Sequence, residues 1–450
     1  MKEVSQSMAM EFVKENDVKF IRLNFCDIFG FQKNISIMAD ELKDALYNGV
    51  SFDAHVIRGF RDITQSDLFL FPEPSTLAVL PWRPGPGRVI RFFCDIKTPA
   101  SPGNSGTEFD RDTRFILKKV TERVNSAGFV CKIGAECEFY LFKTSENGEP
   151  SFITLDKGTC MDIAPLDKGE DIRREICLTL QEMGIKPESS HHELGPGQNE
   201  IDFKFDDAVA SADNLQTFKT VVKAVASRNG LFASFMPKPL AGAPGSGMHI
   251  NLSLYQNGKN IFKNVNEGHS KEAESFIAGI LEKTPEITLF LNPLANSYER
   301  PGKFEAPKYV SWSRQNKSQL VRIPAAADDN VRMELRSPDP SLNPYLAYAL
   351  IISAGLYGIE KKLSLPSAVD ADLHNAEKNI TKDLAQLPDS LENAIALAEK
   401  SGFIKSVLGE NLLLKYIEIK KTEAQEFSKA SRSGEEEKLK FYKENYFNVY

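Results

Sequence analysis

The sequence predicts an α+β protein with two domains. Strand-like and helix-like segments are mixed along the 450 residues, without the steady strand–helix–strand alternation of a doubly wound sheet. The clearest Pro/Gly/Ser-rich punctuation in the first half of the chain is TPASPGNSGTEFD, at residues 98–110. We therefore predict a small first domain over residues 1–103 and a larger second domain over residues 104–450.

The first domain combines two short helices with three strand-like stretches. Apolar residues recur at helical spacing over residues 3–15 and 40–48. Apolar and polar residues alternate in the manner of half-buried strands over residues 19–30, 66–82 and 89–96.

The second domain carries the longer elements. Helices are predicted at residues 111–128, 214–230, 272–283 and 343–363, and the charged tail from about residue 388 is also helical in pattern. Strands are predicted at residues 130–142, 199–205, 247–255 and around 331–336. The helix at 343–363 is strongly apolar, which is typical of a helix buried in a core.

Composition excludes several classes of protein. Hydrophobic residues make up 42% and charged residues 26%, the mix of an ordinary globular protein, and the net charge of -7 gives no basic surface for nucleic acid or an anionic membrane. The N-terminus has no signal-peptide pattern, and no stretch approaches the ~20 apolar residues that span a bilayer. Six scattered cysteines without a C-x-x-C pair fit a reducing compartment. We therefore predict a cytoplasmic protein.

Two motifs place glutamates in pairs. Glu136 and Glu138 alternate along a predicted strand, so both side chains point to one face. Such a pair alone is more often a solvated strand face than a functional site. In the second motif, a Gly-Pro-Gly turn lies between Glu193 and Glu200 and can return both carboxylates toward one point.

Two further motifs bring a histidine and several arginines. His249, Asn251 and Ser253 share one face of a strand that follows a Gly-rich loop, although a lone histidine is more often structural. Arg332, Glu334 and Arg336 alternate in the same way. Taken together, five glutamates and one histidine without a thiolate favour Mg²⁺ or Mn²⁺ over structural zinc. The chain contains no P-loop, no dinucleotide fingerprint and no evident Ser-His-Asp arrangement.

At these residues the chain resembles the type I glutamine synthetases. The resemblance extends from Phe52-Asp53 to the region 387–401. It rests on an ordered set of motifs: E-x-E-F at 136–139, HHE…GQNEIDF at 191–203, FMPKPL…GSGMH at 235–249, NSYER…FEAPKYVSWS at 296–313 and ELRSPDPSLNPYLA at 334–347. Each motif alone is weak, whereas the ordered set is very specific.

The resemblance implies a β-grasp-like N-terminal domain, a catalytic domain with a curved antiparallel sheet, and a homo-dodecamer of two hexameric rings with active sites shared between subunits. It implies one Mg²⁺ or Mn²⁺ ion held by Glu138, Glu193 and Glu200, and another held by Glu136, His249 and Glu334. The implied glutamate-binding residues are Glu138, Gly245, Arg300, Glu305 and Arg336. The implied nucleotide-binding residues are Phe205, Asn251, Ser253, Lys317, Arg322 and Arg332.

The implied reaction is the ATP-dependent ligation of ammonia to L-glutamate. The γ-carboxylate attacks the γ-phosphoryl group of ATP, and ammonia then attacks the γ-glutamyl phosphate. The implied catalytic residues are Arg300, Arg322 and Arg336, which handle charge, and Asp53 (from a neighbouring subunit) and Glu305, which bind and deprotonate ammonium.

Several residues depart from the family pattern around glutamate and ammonia. The usual F-D-G-S-S reads Phe52-Asp53-Ala54-His55-Val56, and the loop from Arg300 to Glu305 is one residue shorter and carries Lys303. Pro244 replaces an asparagine, and Lys317 replaces an arginine whose planar fork it cannot reproduce. Three readings stay open: an ammonia ligase, a γ-glutamyl-amine ligase that uses a primary amine, and a non-catalytic relative.

Overall fold

The computed structural model describes residues 4–83, 87–100, 106–263, 270–326 and 330–450. The predicted α+β class is confirmed, with one sheet near the N-terminus and a second, larger sheet after it. The predicted boundary between residues 103 and 104 lies outside the described residues, as does the first residue of the helix predicted at 3–15.

In the part of the chain that the structure describes, the N-terminal sheet has six strands in the order β2-β1-β6-β4-β3, with β5 added against β6. The pair β1–β6 is parallel and the other pairs are antiparallel. The strands are β1 Val18–Cys26, β2 Gln32–Met38, β3 Val50–Asp53, β4 Asp67–Pro72, β5 Ala78–Val79 and β6 Arg88–Lys97. Helices α1 (Gln6–Glu15) and α2 (Leu42–Asn48) complete the domain at the two positions where the sequence predicts helices.

The larger sheet, called the catalytic sheet below after the domain that the resemblance implies, has eleven strands within the described residues. Its order is β15-β16-β17-β13-β7-β10-β9, and four short strands pair with β7 or β13. All its pairs are antiparallel except β15–β16, so the expected antiparallel sheet is mixed at one edge. The strands are β7 Phe129–Thr144, β8 Pro150–Thr154, β9 Pro187–His192, β10 Gln198–Phe203, β11 Asp206–Asp207, β12 Leu231–Ser234, β13 Met248–Gln256, β14 Lys259–Asn260, β15 Trp312–Arg314, β16 Val321–Ile323 and β17 Met333–Leu335.

Ten helices flank this sheet within the described residues. They are α3 Thr113–Ser126, α4 Glu170–Glu182, α5 Ala208–Arg228, α6 Lys271–Leu291, α7 Pro344–Lys361, α8 Lys378–Thr381, α9 Leu391–Glu399, α10 Gly402–Leu408, α11 Glu410–Ser433 and α12 Glu435–Tyr442. Helix α7 is buried nearly all round, as its apolar sequence predicts. No helix among the described residues is both long and apolar enough to cross a membrane.

Helix α6 is longer than the predicted 272–283 because it continues through Pro285 to Leu291. Its close contact with α7 depends on two glycines. A Cβ on Gly358 would lie 1.9 Å from the backbone oxygen of Ser275, and one on Gly279 would lie 2.2 Å from that of Ala354. The two helices therefore pack backbone to backbone under the sheet.

Buried ion pairs and hydrogen bonds join the two domains. Arg114 at the start of α3 bonds Asp95 of β6 at 2.8 Å and Asp213 of α5 at 3.0 Å. The Asn343 side chain donates to the backbone oxygens of Asp27 and Ile28. These contacts fix the end of the N-terminal sheet against the helices of the catalytic sheet.

Candidate active site

Strand register brings five of the six predicted metal ligands, all but Glu193, to one face of the catalytic sheet. Glu136 on β7 lies opposite His249 on β13, and Glu138 lies opposite Glu200 on β10. On the other side of β13, Asn251 lies opposite Glu334 on β17, which in turn lies opposite Arg322 on β16. Five strands far apart in sequence thus supply one continuous charged surface.

The first ligand set is assembled and balanced by positive charge. One ligand atom each from Glu136, His249 and Glu334 lie within 4.8 Å of one another. Glu334 has 1% of its side chain exposed and bonds Arg322 at 2.6 Å and also Arg336. Burial opposes ionisation of Glu136, but the hydrogen bond and charge of His249 outweigh it and lower the pKa of Glu136 to about 2. The chain itself therefore stabilises the Glu136 carboxylate as an anion.

The second ligand set is short of positive charge. Burial raises the pKa of Glu138 to about 7, against the opposing effect of His249 and with a further rise from Glu193. Burial, reinforced by the charges of Glu138, Asp202 and Glu193, also raises the pKa of Glu200 well above its usual range. A buried carboxylate pair of this kind needs a cation or a proton.

Glu193 is the one predicted ligand of this set whose carboxylate points partly away from the other two, toward His191. Its Oε1 accepts a hydrogen bond from His191 Nε2 at 2.7 Å, and its Oε2 accepts one from the backbone N–H of Leu194. The cluster of ligand atoms within 4.8 Å on this side consists of Glu138, Glu200 and His249. His191 therefore holds Glu193 at the border of the site.

These features fit a divalent cation held by oxygen ligands. Carboxylates and a single imidazole are the donor set that Mg²⁺ and Mn²⁺ accept. Such a cation would also offset the burial and the carboxylate repulsion that raise the pKa of Glu138 and Glu200. The role of the six residues as metal ligands stays a prediction.

A cavity next to Glu138 contains all five predicted glutamate-binding residues. Glu138, Gly245, Arg300, Glu305 and Arg336 all line it. Gly245 leaves room for a buried guanidinium, since a Cβ there would lie 2.6 Å from Cγ of Arg300. The backbone N–H of Gly247 donates to Glu138 Oε2 at 2.9 Å and fixes that carboxylate.

Three arginines carry buried N–H groups that the described residues leave without a hydrogen-bond partner. They are Nε of Arg300, Nε of Arg322 and Nη2 of Arg336. Arg300 and Arg336 are 4% and 2% exposed, so water does not freely solvate these groups. Unpaired buried donors are costly, and an anionic substrate would satisfy them. Arg300 and Arg336 line the cavity, which is therefore suited to carboxylate and phosphate oxygens.

A second cleft opens on the Glu136 side. Phe205, Asn251, Ser253 and Arg332, four of the predicted nucleotide-side residues, line it. Arg332 Nε donates to Asn251 Oδ1 at 2.9 Å, and Asn251 Nδ2 donates to Glu136 Oε1 at 2.8 Å. A ligand bound here would lie beside the first ligand set. The Phe205 ring is 46% exposed and available for stacking.

Lys317 lies away from these four residues. Its ammonium is 3.3 Å from Glu305 Oε2, at the rim of the cavity that contains Arg300. Arg336 Nη2 is 3.6 Å from the same Glu305 oxygen. Within the described chain, Lys317 thus contacts a glutamate-side residue, and its nucleotide role stays a prediction.

Asp53 lies outside both cavities of its own chain. It ends β3 on the N-terminal sheet, its side chain is 52% exposed, and His55 Nδ1 is 2.6 Å from its Oδ1. The hydrogen bond from His55 lowers the pKa of Asp53 and keeps the carboxylate ionised. This position is compatible with the predicted role in the site of a neighbouring copy.

Gln198 and Lys238 are polar side chains at the cavity to which the sequence assigned no role. Gln198 donates to Glu138 Oε2 at 2.7 Å, and Lys238 lines the cavity with its ammonium 4.7 Å from the centre of the Phe304 ring. Both lie inside the quoted motifs GQNEIDF and FMPKPL. Their position in those motifs was the available signal, because neither side chain type indicates a site by itself.

The comparisons with known proteins agree with this geometry. The family model for the glutamine synthetase beta-Grasp domain matches residues 17–99, and that for the glutamine synthetase catalytic domain matches residues 110–439. The chain is 43% identical to a glutamine synthetase of Clostridium saccharobutylicum, with 100% of both chains covered. It is 44% identical to one of Methanosarcina mazei, over 93% of this chain and 94% of the relative.

A solved structure of a GmaS/ADP complex is also similar. Its TM-score is 0.84 at 30% sequence identity, covering 94% of this chain and 96% of that chain. A structure of GmaS without ligand gives a TM-score of 0.83 at 31% identity.

Proposed function

The chain belongs to the glutamine synthetase family of ATP-dependent ligases, and from this premise we propose that it joins ammonia to the γ-carboxylate of L-glutamate. The products are glutamine, ADP and phosphate. The observation that carries the proposal is a cavity lined by Glu138, Glu305 and the two buried arginines Arg300 and Arg336. Each arginine has one N–H group that is unpaired within the described residues. The cavity combines donors for an anionic substrate with a carboxylate for a cationic one.

In the first step, the arginines hold the reacting anions together. Arg300 binds the α-carboxylate of glutamate, and Arg336 lies beside the γ-carboxylate. Arg322 and Arg332 neutralise phosphate oxygens of ATP bound in the cleft lined by Phe205. The γ-carboxylate oxygen attacks the γ-phosphorus, and the bond to ADP breaks. Positioning and charge supply the catalysis, as in other phosphoryl transfers.

Divalent cations complete this arrangement. Glu136, His249 and Glu334 would hold one Mg²⁺ or Mn²⁺ ion, and Glu138, Glu193 and Glu200 would hold another. Bound ions supply positive charge next to the phosphate oxygens. The deficit of positive charge around Glu138 and Glu200 supports this assignment.

In the second step, carboxylates prepare the nucleophile. Ammonium binds between Glu305 and the Asp53 of a neighbouring copy, and a carboxylate accepts its proton. Ammonia attacks the γ-carbonyl carbon, and phosphate leaves. The exposure of Asp53 supports a shared site, and with it the proposed dodecamer of two hexameric rings.

A γ-glutamyl-amine ligase is the second candidate. GmaS, a γ-glutamylmethylamide synthetase, has a similar fold over nearly the whole chain. The departures Val56 and Lys303 lie in the regions assigned to the acceptor, and Lys303 and Phe304 line the cavity. A larger acceptor is favoured by these changes, whereas the retained Asp53 and Glu305 and the 42–44% identity to glutamine synthetases favour ammonia.

The deciding experiment is glutamate-dependent phosphate release from ATP with Mg²⁺, measured with ammonium, methylamine and ethylamine, with the product identified by mass. Turnover with ammonium and formation of glutamine would support the first proposal. Turnover with an amine alone would replace it by the second. The Val56→Ser variant restores the family's usual residue type at this position. Measuring it with the same three acceptors shows whether Val56 determines the choice of acceptor. The absence of glutamate-dependent phosphate release with every acceptor would overturn both.

A further inference from the structure

A thiol, an imidazole and a carboxylate converge at the border of the carboxylate cluster. One ligand atom each from Cys160, His191 and Glu193 lie within 4.8 Å of one another. We propose that this trio binds Zn²⁺ or a similarly soft divalent cation, and that the bound ion withdraws Glu193 from the catalytic cluster. Binding depends on the trio alone, while the effect on turnover rests on the proposed function.

The donor set selects a different ion from the one that suits the catalytic cluster. Zn²⁺ binds cysteine sulfur, histidine nitrogen and carboxylate oxygen, commonly with three protein ligands and one water. Mg²⁺ is held mainly by oxygen ligands and does not compete for a thiolate. The thiol would lose its proton to solvent as the metal–sulfur bond forms. The trio is therefore matched to a soft cation even when Mg²⁺ is in excess.

The geometry requires only small movements. Zinc–ligand bonds of about 2.0–2.3 Å in a tetrahedron separate the ligand atoms by roughly 3.3–3.8 Å. The His191 Nε2–Glu193 Oε1 distance of 2.7 Å would open slightly, and the remaining spacings are already within 4.8 Å. The side chains of His191 and Glu193 are 24% and 18% exposed, so an ion can enter from solvent.

A neighbouring cluster of possible metal ligands is less suited to binding an ion than the Cys160 trio. Asp156, Asp167 and His192 are also close together, but all three are buried. Asp156 accepts hydrogen bonds from His192 and from backbone N–H groups, and Asp167 is paired with Arg173 at 2.5 Å. Its ligand atoms are already used within the chain. The Cys160 trio is partly exposed and contains a thiol, which makes it the better metal site.

Glu193 is common to the trio and to the catalytic cluster. Its charge contributes to the raised pKa of Glu138, and both residues line the cavity that contains Arg300. His191 Nε2 is only 3.8 Å from Glu200 Oε1. An ion held by the trio would keep Glu193 turned toward His191. Zinc binding at the trio therefore competes with the proposed second Mg²⁺ site for Glu193.

The binding is tested with Co²⁺ as a spectroscopic probe, added to the full-length protein in excess Mg²⁺ without substrates. The wild-type protein should show thiolate-to-cobalt charge-transfer absorption, and added Zn²⁺ should abolish it. Cys160→Ser should lose the band, whereas Cys177→Ser, a change at another partly exposed cysteine, should retain it. No band in the wild type, or an equal band in Cys160→Ser, would overturn the proposal. Because no turnover is required, this result is independent of the proposed function.

The consequence for activity is tested by titrating Zn²⁺ into the Mg²⁺-dependent reaction. Losing a residue that only orients a metal ligand costs about 10–100-fold in affinity, so losing the Cys160 ligand itself should raise the inhibitory Zn²⁺ concentration by at least about 100-fold. Cys160→Ser should keep its turnover in Mg²⁺ alone. Equal inhibition of the wild type and Cys160→Ser would show that zinc acts elsewhere and would overturn the competition for Glu193.

Discussion

Glu334 in the catalytic sheet and Asp53 at the edge of the N-terminal sheet are held in contrasting ways. Glu334 is 1% exposed and bonds two arginines of its own sheet. Asp53 is 52% exposed and is bonded by His55 two residues away. Strand pairing fixes the surroundings of Glu334 completely within one chain, whereas Asp53 faces solvent and has room for a ligand or a second copy.

The contrast shows that the two sheets contribute different kinds of residue to the proposed reaction. Groups that must bear concentrated charge are preorganised by neighbouring strands, where cations of the same chain offset the cost of burial. A group that must meet a small cationic substrate is left accessible. The same division recurs inside the catalytic sheet, where Glu334 is balanced by arginines but Glu138 and Glu200 are not.

The largest effect is expected from Glu334→Gln. The change removes a proposed metal ligand and leaves Arg322 and Arg336 without their buried counter-charge. We expect turnover to fall by about 10³-fold or more at saturating Mg²⁺. Breaking a buried ion pair costs about 3–5 kcal/mol, so thermal stability should also fall.

The matched control is Glu360→Gln, which removes an exposed ion pair with Arg123. Exposed pairs contribute about 0–1 kcal/mol, so this variant should be near the wild type in turnover and stability. Substantial turnover of Glu334→Gln would remove Glu334 from the ligand set and would weaken the comparison between the two sheets.

The variants Asp53→Ala and Glu305→Ala test whether Asp53 of one subunit and Glu305 of another form a single active site. Each variant alone should lose about 10²–10⁴-fold in glutamine formation, the usual contribution of a general base. When the two chains are co-expressed in equal amounts, a site built from two subunits regains both residues in about a quarter of random pairings. The measurement is the activity of the purified hybrid oligomer, with its size checked by light scattering.

If both carboxylates act in one chain's own site, every site of the hybrid lacks one of them. If the hybrid oligomer is no more active than the two single variants, the shared site is contradicted and the role of Asp53 is structural. Co-expression of two differently tagged Asp53→Ala chains controls for the mixing itself.

Much of this arrangement could be predicted from sequence because a strand has a period of two. From the order of residues alone, that period places Glu136 with Glu138, and Arg332 with Glu334 and Arg336. It does not give the register between strands. The pairing of Glu136 with His249 joins residues more than a hundred positions apart, and only the family resemblance indicated it.

Side-chain partners outside the strands were beyond sequence reasoning. The turn of Glu193 toward His191, and the contact of Lys317 with Glu305, depend on rotamers and loop paths. Lys238 was missed because lysine is usually a solvated side chain. Its burial at 3% exposed follows from the packing of distant segments around it.

An intermediate effect, opposite in sign to that of Glu334→Gln, is expected from Glu200→Gln in metal-free protein. Glu200 has a raised pKa because burial and neighbouring carboxylates disfavour its charge. A group with a raised folded-state pKa stabilises the fold below its unfolded pKa and loses that contribution as pH rises. At pH 8 with a chelator, the neutral glutamine should therefore raise the thermal midpoint by roughly 1–3 °C.

Adding Mg²⁺ should reverse the order of wild type and Glu200→Gln, because the wild type gains a bound cation and the variant does not. Thermal unfolding in chelator and in Mg²⁺ measures both effects. A fall in stability for Glu200→Gln without metal, parallel to that of Glu334→Gln, would show that the two ligand sets are balanced alike.

The smallest effect is expected at Lys238. This side chain is a cation of the chain itself, in contrast to the positive charge that bound metal ions would provide. Burial, with a contribution from Lys303, lowers the pKa of Lys238 to about 8. Its ammonium is therefore positive at pH 7.5 and mostly neutral at pH 9. Because Lys238 lines the cavity with Arg300, the KM for glutamate should rise about 3–10-fold over this range, with kcat little changed.

The measurement is the KM for glutamate between pH 7 and 9, at saturating ammonium and Mg²⁺. Lys238→Gln should show a high KM already at pH 7 and little further change, whereas Lys308→Gln, a change at a partly buried lysine beside Gly302 that does not line the cavity, should follow the wild type. If the KM of Lys238→Gln rises between pH 7 and 9 as much as that of the wild type, the pH dependence belongs to another group. Arg300 would then bind the substrate carboxylate without help from Lys238.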